Sequence, residues 1–248
     1  MQNPDKNILN IKELYHEEVE ITQPECAGLV HEIYIATSKQ SKTVFRFSSK
    51  ECAFNNFYTS QILTKYNIPV PQTGVYKIGK KYCEIYPFIE GLTLHEKLSN
   101  NLIDQEQLYS ILRQLVNLSL KLYKIPLKEF GRFNSMYRHV SMINNFFQFF
   151  QPTLPKLCHT DLTAKNIVID DNNNVVALLD LDAIMPSHFN IMFGRISFCA
   201  KKYGFDETKV YDMYPENVVK NLYKMLDTKK QFNLYNNIMQ MYFKLHKR

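Results

Sequence analysis

The chain has 248 residues, which allows one large domain or two closely packed lobes, and its 45% hydrophobic and 22% charged content is typical of a soluble globular protein. The net charge of +6 comes without a long run of Lys or Arg, which excludes a dedicated nucleic-acid arm. The five cysteines are scattered without C-x-x-C spacing, which argues against a disulfide framework and a structural zinc site. The N-terminus is polar and no apolar run approaches membrane-spanning length, so we expect a cytoplasmic protein that binds neither membranes nor nucleic acid.

Short elements of mixed type are predicted over the first half of the chain. Apolar residues recur at helical spacing near residues 8–14 and over 50–66, where Ser48 or Ser49 can cap the helix. Gly28 lies in a turn. Alternating apolar and polar residues then predict strands, in chain order, over 31–37, 42–47, 73–78 and 82–86.

The strand over 42–47 carries a cation at an unusual position. Its alternation places Val44 and Arg46 on one face, with Phe45 and Phe47 on the other. A cation on a buried face is unfavourable unless it is paired. Arg46 is therefore either paired with an anion or located at an open sheet edge.

The second half is predicted to be mainly helical on both sides of one β-like stretch. The densest apolar pattern, over 106–124, predicts a buried core helix that Pro126 ends. The aromatic cluster in 141–150 favours helical core over a substrate-stacking surface. Further helices are predicted over 190–202, 216–226 and 231–245.

The β-like stretch reads LCHTDLTAKNIVIDDNNNVVALLDLD, from Leu157 to Asp182. It contains His159, Asp161 and Asn166 in the pattern H-x-D-x-x-x-x-N. An apolar run, a polar turn and a second apolar run follow, and Asp180 comes directly after them. A hairpin of this kind brings the loop before its first strand close to the loop after its second. Asp161, Asn166 and Asp180 are therefore predicted to converge, and their oxygens suit a magnesium-bound phosphate and a hydroxyl nucleophile.

In these motifs the chain resembles the aminoglycoside phosphotransferase/choline kinase family, the small-molecule branch of the protein-kinase-like fold. The resemblance covers about residues 25–200, with the motifs in family order. It implies an α+β, two-lobed fold. Residues 1–90 would form a nucleotide-binding lobe with a small antiparallel sheet and one helix, and 91–248 a larger, mainly helical catalytic and substrate-binding lobe.

The resemblance also implies roles for the residues of the stretch. Asp161 would be the catalytic base, and Asn166 and Asp180 would bind Mg²⁺. His159 would be a buried structural residue whose ring bonds the backbone near Asp180. Asp182 is a possible extra metal ligand, and the alternative is a solvent-facing acid.

In the first lobe the resemblance implies contacts to a nucleotide. Gly28 would lie in the loop over the phosphates, although a plain β-turn is equally compatible with it. Arg46 would hold the α- and β-phosphates. The backbone of Tyr86 to Phe88 would bind the adenine edge, unless it is simply an edge strand and turn. Gly91 would let the chain turn into the second lobe.

Two departures from the family pattern leave alternatives open. The family places a Glu on the helix over 50–66 to pair with the strand cation, but Asn56 occupies that slot. Either Glu51 substitutes, or Asn56 supplies a weaker hydrogen bond, or the cation meets phosphate alone. A further Asp, expected at the start of the helix over 190–202, is also missing. His188, Asn190 or Arg195 are candidates to replace it.

The resulting prediction is a phosphotransferase that uses ATP (or GTP) and Mg²⁺ to phosphorylate a hydroxyl of a small molecule. A compact protein kinase is the first alternative, although the H-R-D arginine and an A-P-E segment are both lacking. A non-catalytic nucleotide-binding module is the second, supported by Asn56 and the missing Asp. The joint presence of Asp161, Asn166 and Asp180 argues against it.

Overall fold

A computed structural model describes residues 6–24, 31–130, 156–187, 189–206 and 208–216. The helices predicted over 141–150 and 231–245 lie outside these residues, as does nearly all of the one over 216–226. Gly28 and His188 also lie outside them.

The first lobe is built on an antiparallel sheet of five strands with the order β1-β2-β3-β5-β4. Its elements, in chain order, are α1 (Lys6–Lys12), β1 (Glu20–Thr22), β2 (Glu32–Thr37), β3 (Lys42–Ser48), α2 (Lys50–Lys65), β4 (Gly74–Ile78) and β5 (Lys81–Pro87). Each predicted strand is present to within one or two residues.

Strand β3 has a different partner on each face. Phe45 and Phe47 join Ile11 of α1 and Tyr34 of β2 in an apolar core. Because side chains alternate along a strand, Arg46 faces the opposite side, where α2 lies. Both faces of β3 are therefore buried, which explains how a cation comes to be inside this lobe.

Helix α2 links the two lobes. It begins at Ser49, whose hydroxyl accepts a hydrogen bond from the Cys52 backbone N–H at 3.2 Å. Near its other end, Ile62 and Leu63 belong to the apolar core of the second lobe rather than that of the first. Helix α2 therefore begins beside the sheet of the first lobe and ends in the core of the second.

The second lobe combines helices with short strands around the predicted hairpin. Its described elements, in chain order, are β6 (Leu92–Thr93), α3 (Leu94–Ser99), α4 (Gln105–Lys124), a 3₁₀ turn (Leu127–Glu129), β7 (Lys156–His159), a 3₁₀ turn (Ala164–Asn166), β8 (Ile167–Ile169), β9 (Val175–Leu178), a 3₁₀ turn (Leu181–Ala183), β10 (Ile184–Ser187), α5 (Phe189–Lys202) and α6 (Thr208–Asp212). The core centres on α4, where Leu108, Leu112, Leu115 and Leu122 are almost completely buried. The predicted two-lobed α+β fold is confirmed.

The chain passes between the lobes at Gly91. This residue has φ +133°, and a Cβ there would lie 2.6 Å from the Ile169 carbonyl oxygen. The close approach allows β6 to pair with β8, with Leu92 opposite Ile169. Only glycine fits both the dihedral angle and the contact.

Candidate active site

Residues 159–166 form the loop that the sequence predicts to be catalytic, called the catalytic loop below, and the loop is closed by its own hydrogen bonds. It joins β7 to β8, and the Asn166 Nδ2 group donates to the Asp161 carbonyl oxygen at 2.8 Å and to its carboxylate Oδ2 at 3.1 Å. Backbone bonds from Thr163 N to Asp161 O and from Asn166 N to Thr163 O tighten the turn. Because Asn166 donates through nitrogen, its Oδ1 atom remains available to a cation.

Asp180 lies beside this loop, as the hairpin predicts. The Leu179 N–H donates to the Asn166 carbonyl oxygen at 2.8 Å, and Asp180 itself takes a left-handed conformation with φ +58°. Its side chain is 39% exposed, and the Arg46 Nη2 atom is 3.8 Å away. Asp161, Asn166 and Asp180 are therefore brought to one place.

The electrostatics of this place favour a bound cation. Burial raises the pKa of Asp180, and the negative charges of Asp182 and Asp161 raise it further. A divalent ion between the Asp180 carboxylate and the Asn166 amide oxygen would relieve that repulsion, and oxygen donors of this type suit Mg²⁺. The residues present therefore fit the Mg²⁺ that the resemblance implies.

His159 is fully buried and holds the base of the catalytic loop. Its Nε2 atom lies 2.8 Å from the Leu179 carbonyl oxygen, which can only accept, so Nε2 carries the proton. Burial lowers the pKa of His159 and keeps the ring neutral. Among the described residues Nδ1 has no hydrogen-bond partner. The ring ties the catalytic loop to the residue before Asp180.

Arg195, in the middle of α5, contacts the catalytic loop. Its Nε group donates to the Thr160 carbonyl oxygen at 3.1 Å, and its Nη2 atom lies 3.6 Å from Asp161 Oδ1. Of the three predicted replacements, Arg195 makes the contact. His188 lies outside the described residues, as does the side chain of Asn190.

Arg46 is buried and paired, but not with an acid on α2. Glu84 stands directly opposite it on β5, and Arg46 Nη1 lies 2.5 Å from Glu84 Oε1. Nη2 pairs with Asp182 of the second lobe. Burial alone would lower the pKa of Arg46, but the charges of Asp182 and Glu84 raise it well above its usual range. The guanidinium therefore remains charged.

Asn56 contacts Glu84, the partner of Arg46. It is buried, and its Nδ2 group donates to Glu84 Oε2 at 2.9 Å instead of contacting Arg46. Burial raises the pKa of Glu84, while the charge of Arg46 and the hydrogen bond from Asn56 oppose the shift. The α2 residue at the family's Glu slot thus orients a carboxylate on the sheet. We call Arg46, Glu84, Asn56 and Asp182 the Arg46 cluster.

Glu51 does not take the place of the family's glutamate. It is exposed in the first turn of α2, and no ion pair among the described residues includes it. Glu84 was not predicted from the sequence. The signal for it was present, since Arg46 and Glu84 occupy facing positions on two alternating strands, but it required knowledge of the β3–β5 register.

The Asp182 side chain is 21% exposed and pairs with Arg46 of the first lobe, so it is not a solvent-facing acid. Its role as a metal ligand stays a prediction. Besides Arg46, Asp182 contacts His31 Nε2 at 3.1 Å through Oδ2 and Cys52 Sγ at 3.1 Å through Oδ1. Burial alone would raise the pKa of Asp182, but the His31 hydrogen bond and the Arg46 charge hold it well below the usual range. The carboxylate therefore ties the second lobe to β3, α2 and the residue before β2.

Solved structures with this geometry of two lobes and hairpin are available for comparison. Wild-type aminoglycoside 2'-phosphotransferase-IIIa in complex with GDP has a TM-score of 0.67 at 12% identity, over 97% of this chain and 92% of that one. Aminoglycoside-3'-phosphotransferase of type VIII has a TM-score of 0.58 at 11% identity, over 89% and 98%. The chain has the aminoglycoside phosphotransferase fold.

Other solved structures with the aminoglycoside phosphotransferase fold extend the likeness to the whole chain. Spectinomycin phosphotransferase, in complex with ADP and spectinomycin, has a TM-score of 0.54 at 12% identity, over 100% of this chain and 96% of that one. Neither a protein-family model nor a curated protein sequence matches the chain. The likeness is therefore one of three-dimensional structure.

The segment predicted to bind adenine, Tyr86 to Phe88, makes hydrogen bonds within the first lobe, and its contact with adenine stays a prediction. Tyr86 still lies within β5 and pairs with Val44. The Phe88 N–H donates to the Lys42 carbonyl oxygen at 2.8 Å, and the Lys42 ammonium lies 3.7 Å from the centre of the Phe88 ring. The predicted adenine contact through the Phe88 N–H would require that hydrogen bond to open.

Two further expectations from the sequence concern the phosphate loop and membrane-spanning helices. The phosphate loop predicted around Gly28 lies outside the described residues, so its role stays a prediction. None of the described helices combines the length and apolar character needed to cross a lipid bilayer.

Proposed function

We propose that the chain is a phosphotransferase that moves the γ-phosphoryl group of ATP or GTP to a hydroxyl group of a small molecule, with Mg²⁺ as cofactor. The observation that carries this proposal is the convergence of Asp161, Asn166 and Asp180 at one place between the lobes. Solved structures with the same fold contain GDP, ATP or ADP, which supports a nucleotide as the phosphoryl donor.

In this reaction Asp161 would orient the acceptor hydroxyl and accept its proton as the bond to phosphorus forms. The Asn166 hydrogen bonds hold the Asp161 backbone and carboxylate, and Arg195 contacts the same carboxylate from α5. Asn166 Oδ1 and the Asp180 carboxylate would hold Mg²⁺, which when bound neutralises charge on the phosphates. Most of the catalysis then comes from positioning.

The first lobe would bind the rest of the nucleotide. Arg46 is charged and rigidly placed by Glu84, so its Nη2 group can meet a phosphate if the phosphate competes with Asp182. We expect the backbone of Ile89 and Glu90 to bind the base of the nucleotide. Among the described residues, none forms a backbone hydrogen bond with either of them.

The net charge of the chain bears on the class of acceptor. Several solved neighbours are in complex with aminoglycosides, among them kanamycin and streptomycin. A polycationic acceptor needs an acidic pocket. The net charge of +6 does not favour one, so the proposal is a small-molecule alcohol in general.

The experiment compares the loss of the Asp161 carboxylate with the loss of an exposed carboxylate from the same segment of the chain. Wild type, Asp161→Asn and Asp171→Asn are assayed for Mg²⁺-dependent consumption of ATP and GTP, alone and with a panel of aminoglycosides, macrolides, choline and sugars. Asp171 is exposed in the β8–β9 turn and serves as the matched control. We expect Asp161→Asn to lose about 10²–10⁴-fold in turnover while it still binds nucleotide, since a positioned base contributes about that much.

Equal turnover in wild type and Asp161→Asn would contradict the role of Asp161. Failure of the wild-type chain to bind either nucleotide with Mg²⁺ would contradict the whole proposal. Nucleotide binding with no consumption under any condition would favour the non-catalytic module.

A further inference from the structure

Two side chains of different chemistry, those of His31 and Cys52, lie next to Asp182 of the Arg46 cluster. His31 precedes β2, Cys52 lies in the first turn of α2, and Asp182 follows β9. Their ligand atoms, an imidazole nitrogen, a sulfur and a carboxylate oxygen, all lie within 4.8 Å of one another. All three side chains are partly buried, so solvent can still reach them.

The separations match those of a metal site. Zinc is held by His nitrogen, Cys sulfur and carboxylate oxygen at about 2.0–2.3 Å in a tetrahedron, which places ligand atoms roughly 3.3–3.7 Å apart. His31 Nε2 is 3.1 Å from Asp182 Oδ2, and Cys52 Sγ is 3.1 Å from Asp182 Oδ1. Small side-chain rotations would give all three atoms a common centre.

The charge around these side chains favours a further cation. Three carboxylates, those of Glu84, Asp180 and Asp182, surround the single guanidinium of Arg46. If Asp182 turned to a metal ion, Arg46 would keep Glu84 as its partner at 2.5 Å. Binding would therefore not leave Arg46 buried without a counter-charge.

We propose that His31, Cys52 and Asp182 form a binding site for a thiophilic divalent cation such as Zn²⁺, separate in chemistry from the Mg²⁺ site at Asn166 and Asp180. Bonds form from the metal to the His31 nitrogen, the Cys52 sulfur and an Asp182 oxygen, and water fills the fourth position. The Cys52 S–H bond breaks and its proton goes to solvent. No electron is transferred.

The proton release gives the site a definite pH dependence. Without metal the Cys52 thiol donates its proton to Asp182 Oδ1 at 3.1 Å, and the Arg46 Nη1 atom lies 3.8 Å from the sulfur. A metal ion must displace this proton, and its apparent affinity therefore rises with pH. Mg²⁺ does not compete, because it prefers oxygen ligands to thiolate and imidazole.

Metal binding would also act on nucleotide binding. It draws Asp182 from Arg46, which frees the Arg46 Nη2 group for a phosphate but removes the ion pair that holds β3 against the second lobe. Without that ion pair, Arg46 and a phosphate bound to it would no longer be aligned with Asp161. We therefore expect Zn²⁺ to inhibit the phosphotransferase. This consequence rests on the proposed function, whereas metal binding itself does not.

Co²⁺ is used in place of Zn²⁺ because its thiolate complexes absorb light. The full, untagged chain is titrated with Co²⁺ in excess Mg²⁺, and absorption from thiolate-to-cobalt charge transfer is followed in the near ultraviolet. We expect one equivalent of Co²⁺ to bind, the band to vanish when Zn²⁺ is added, and Mg²⁺ to have no effect. A wild-type chain without the band, or a band abolished by Mg²⁺, would overturn the proposal.

Variants identify the ligands. Cys52→Ser keeps a hydroxyl donor toward Asp182 and should lose the band, while Cys26→Ser and Cys199→Ser should keep it. His31→Gln should keep the sulfur band, but its affinity for Co²⁺ should fall by more than roughly tenfold. Losing a hydrogen bond to a metal ligand already costs about that much, and losing the ligand itself costs more. A band that depends on Cys26 or Cys199 and not on Cys52, or an affinity unchanged in His31→Gln, would overturn the assignment.

The inhibition has a separate readout. If the chain consumes nucleotide, Zn²⁺ should slow wild type and have little effect on Cys52→Ser, each measured against its own metal-free rate. If the chain consumes none, the cobalt band still decides the metal site. Equal inhibition of wild type and Cys52→Ser would contradict the proposed link between this site and Arg46.

Discussion

The catalytic loop and the Arg46 cluster face each other across the two lobes but are held in place by different forces. The loop is fixed by hydrogen bonds of its own backbone and of the Asn166, His159 and Arg195 side chains, and the Asp161 side chain is 44% exposed. The cluster is fixed by buried charges from β3, β5, α2 and the segment after β9, and Glu84 is 2% exposed. We therefore expect changes in the loop to affect the proposed chemistry with little effect on stability, whereas changes in the cluster should affect stability as well.

The largest expected difference comes from removing the charged centre of each region. Arg46→Met leaves Glu84 and Asp182 without their cation, and breaking a buried pair in this way typically costs about 3–5 kcal/mol. Asp161→Asn should change the free energy of unfolding by less than about 1 kcal/mol, because its carboxylate is largely solvated. Urea unfolding at neutral pH measures both.

A surface ion pair is the control for this comparison. Lys81 pairs with Glu32 at 2.7 Å with both side chains about half exposed, so Lys81→Met should cost no more than about 1 kcal/mol. A loss in Arg46→Met as small as that of Lys81→Met would show that the cluster does not stabilise the fold.

The second prediction tests whether a carboxylate on α2 can replace that of Glu84 on β5. Glu84→Gln removes the negative charge opposite Arg46 and should lower stability and nucleotide affinity. Because Asn56 Nδ2 is 2.9 Å from Glu84 Oε2, adding Asn56→Glu restores a carboxylate close to the same guanidinium. The two changes should couple favourably by about 1–3 kcal/mol in a double-mutant cycle.

Asn55→Glu is the matched control for the exchange, since it adds the same charge one position along α2. Rescue by Asn55→Glu equal to that by Asn56→Glu would attribute the effect to general charge rather than to this contact.

The smallest expected effect is a pH dependence. The folded-state pKa of Asp182 is held below its unfolded value of about 3.9, so its contribution to stability is present above about pH 4 and is lost as the pH falls below it. Asp182→Asn should therefore be destabilised relative to wild type by about 1–2 kcal/mol at pH 7, with a smaller gap near pH 3.

Urea unfolding at both pH values measures this gap, with Asp171→Asn as the exposed control. A gap that widens on acidification would reverse the sign derived for Asp182 and would remove it from the stabilising set.

The sequence predicted well whatever depends on short range. The hairpin, its turn and the position of Asp180 follow from residues within a 26-residue stretch, because strand alternation and turn composition are local properties. The hydrogen bond of His159 to the backbone beside Asp180 belongs to the same stretch. The cap at Ser49 is equally local.

The partners of each buried charge depended on the tertiary structure. That Arg46 lies on a buried face could be predicted from alternation, but Glu84 is 38 residues away and Asp182 is 136 residues away. Their contacts depend on strand order, register and the approach of the lobes, and Glu51 was as plausible from spacing alone. The grouping of His31, Cys52 and Asp182 has the same origin. Charge pairing acts through space, so only the folded chain decides which acid meets which cation.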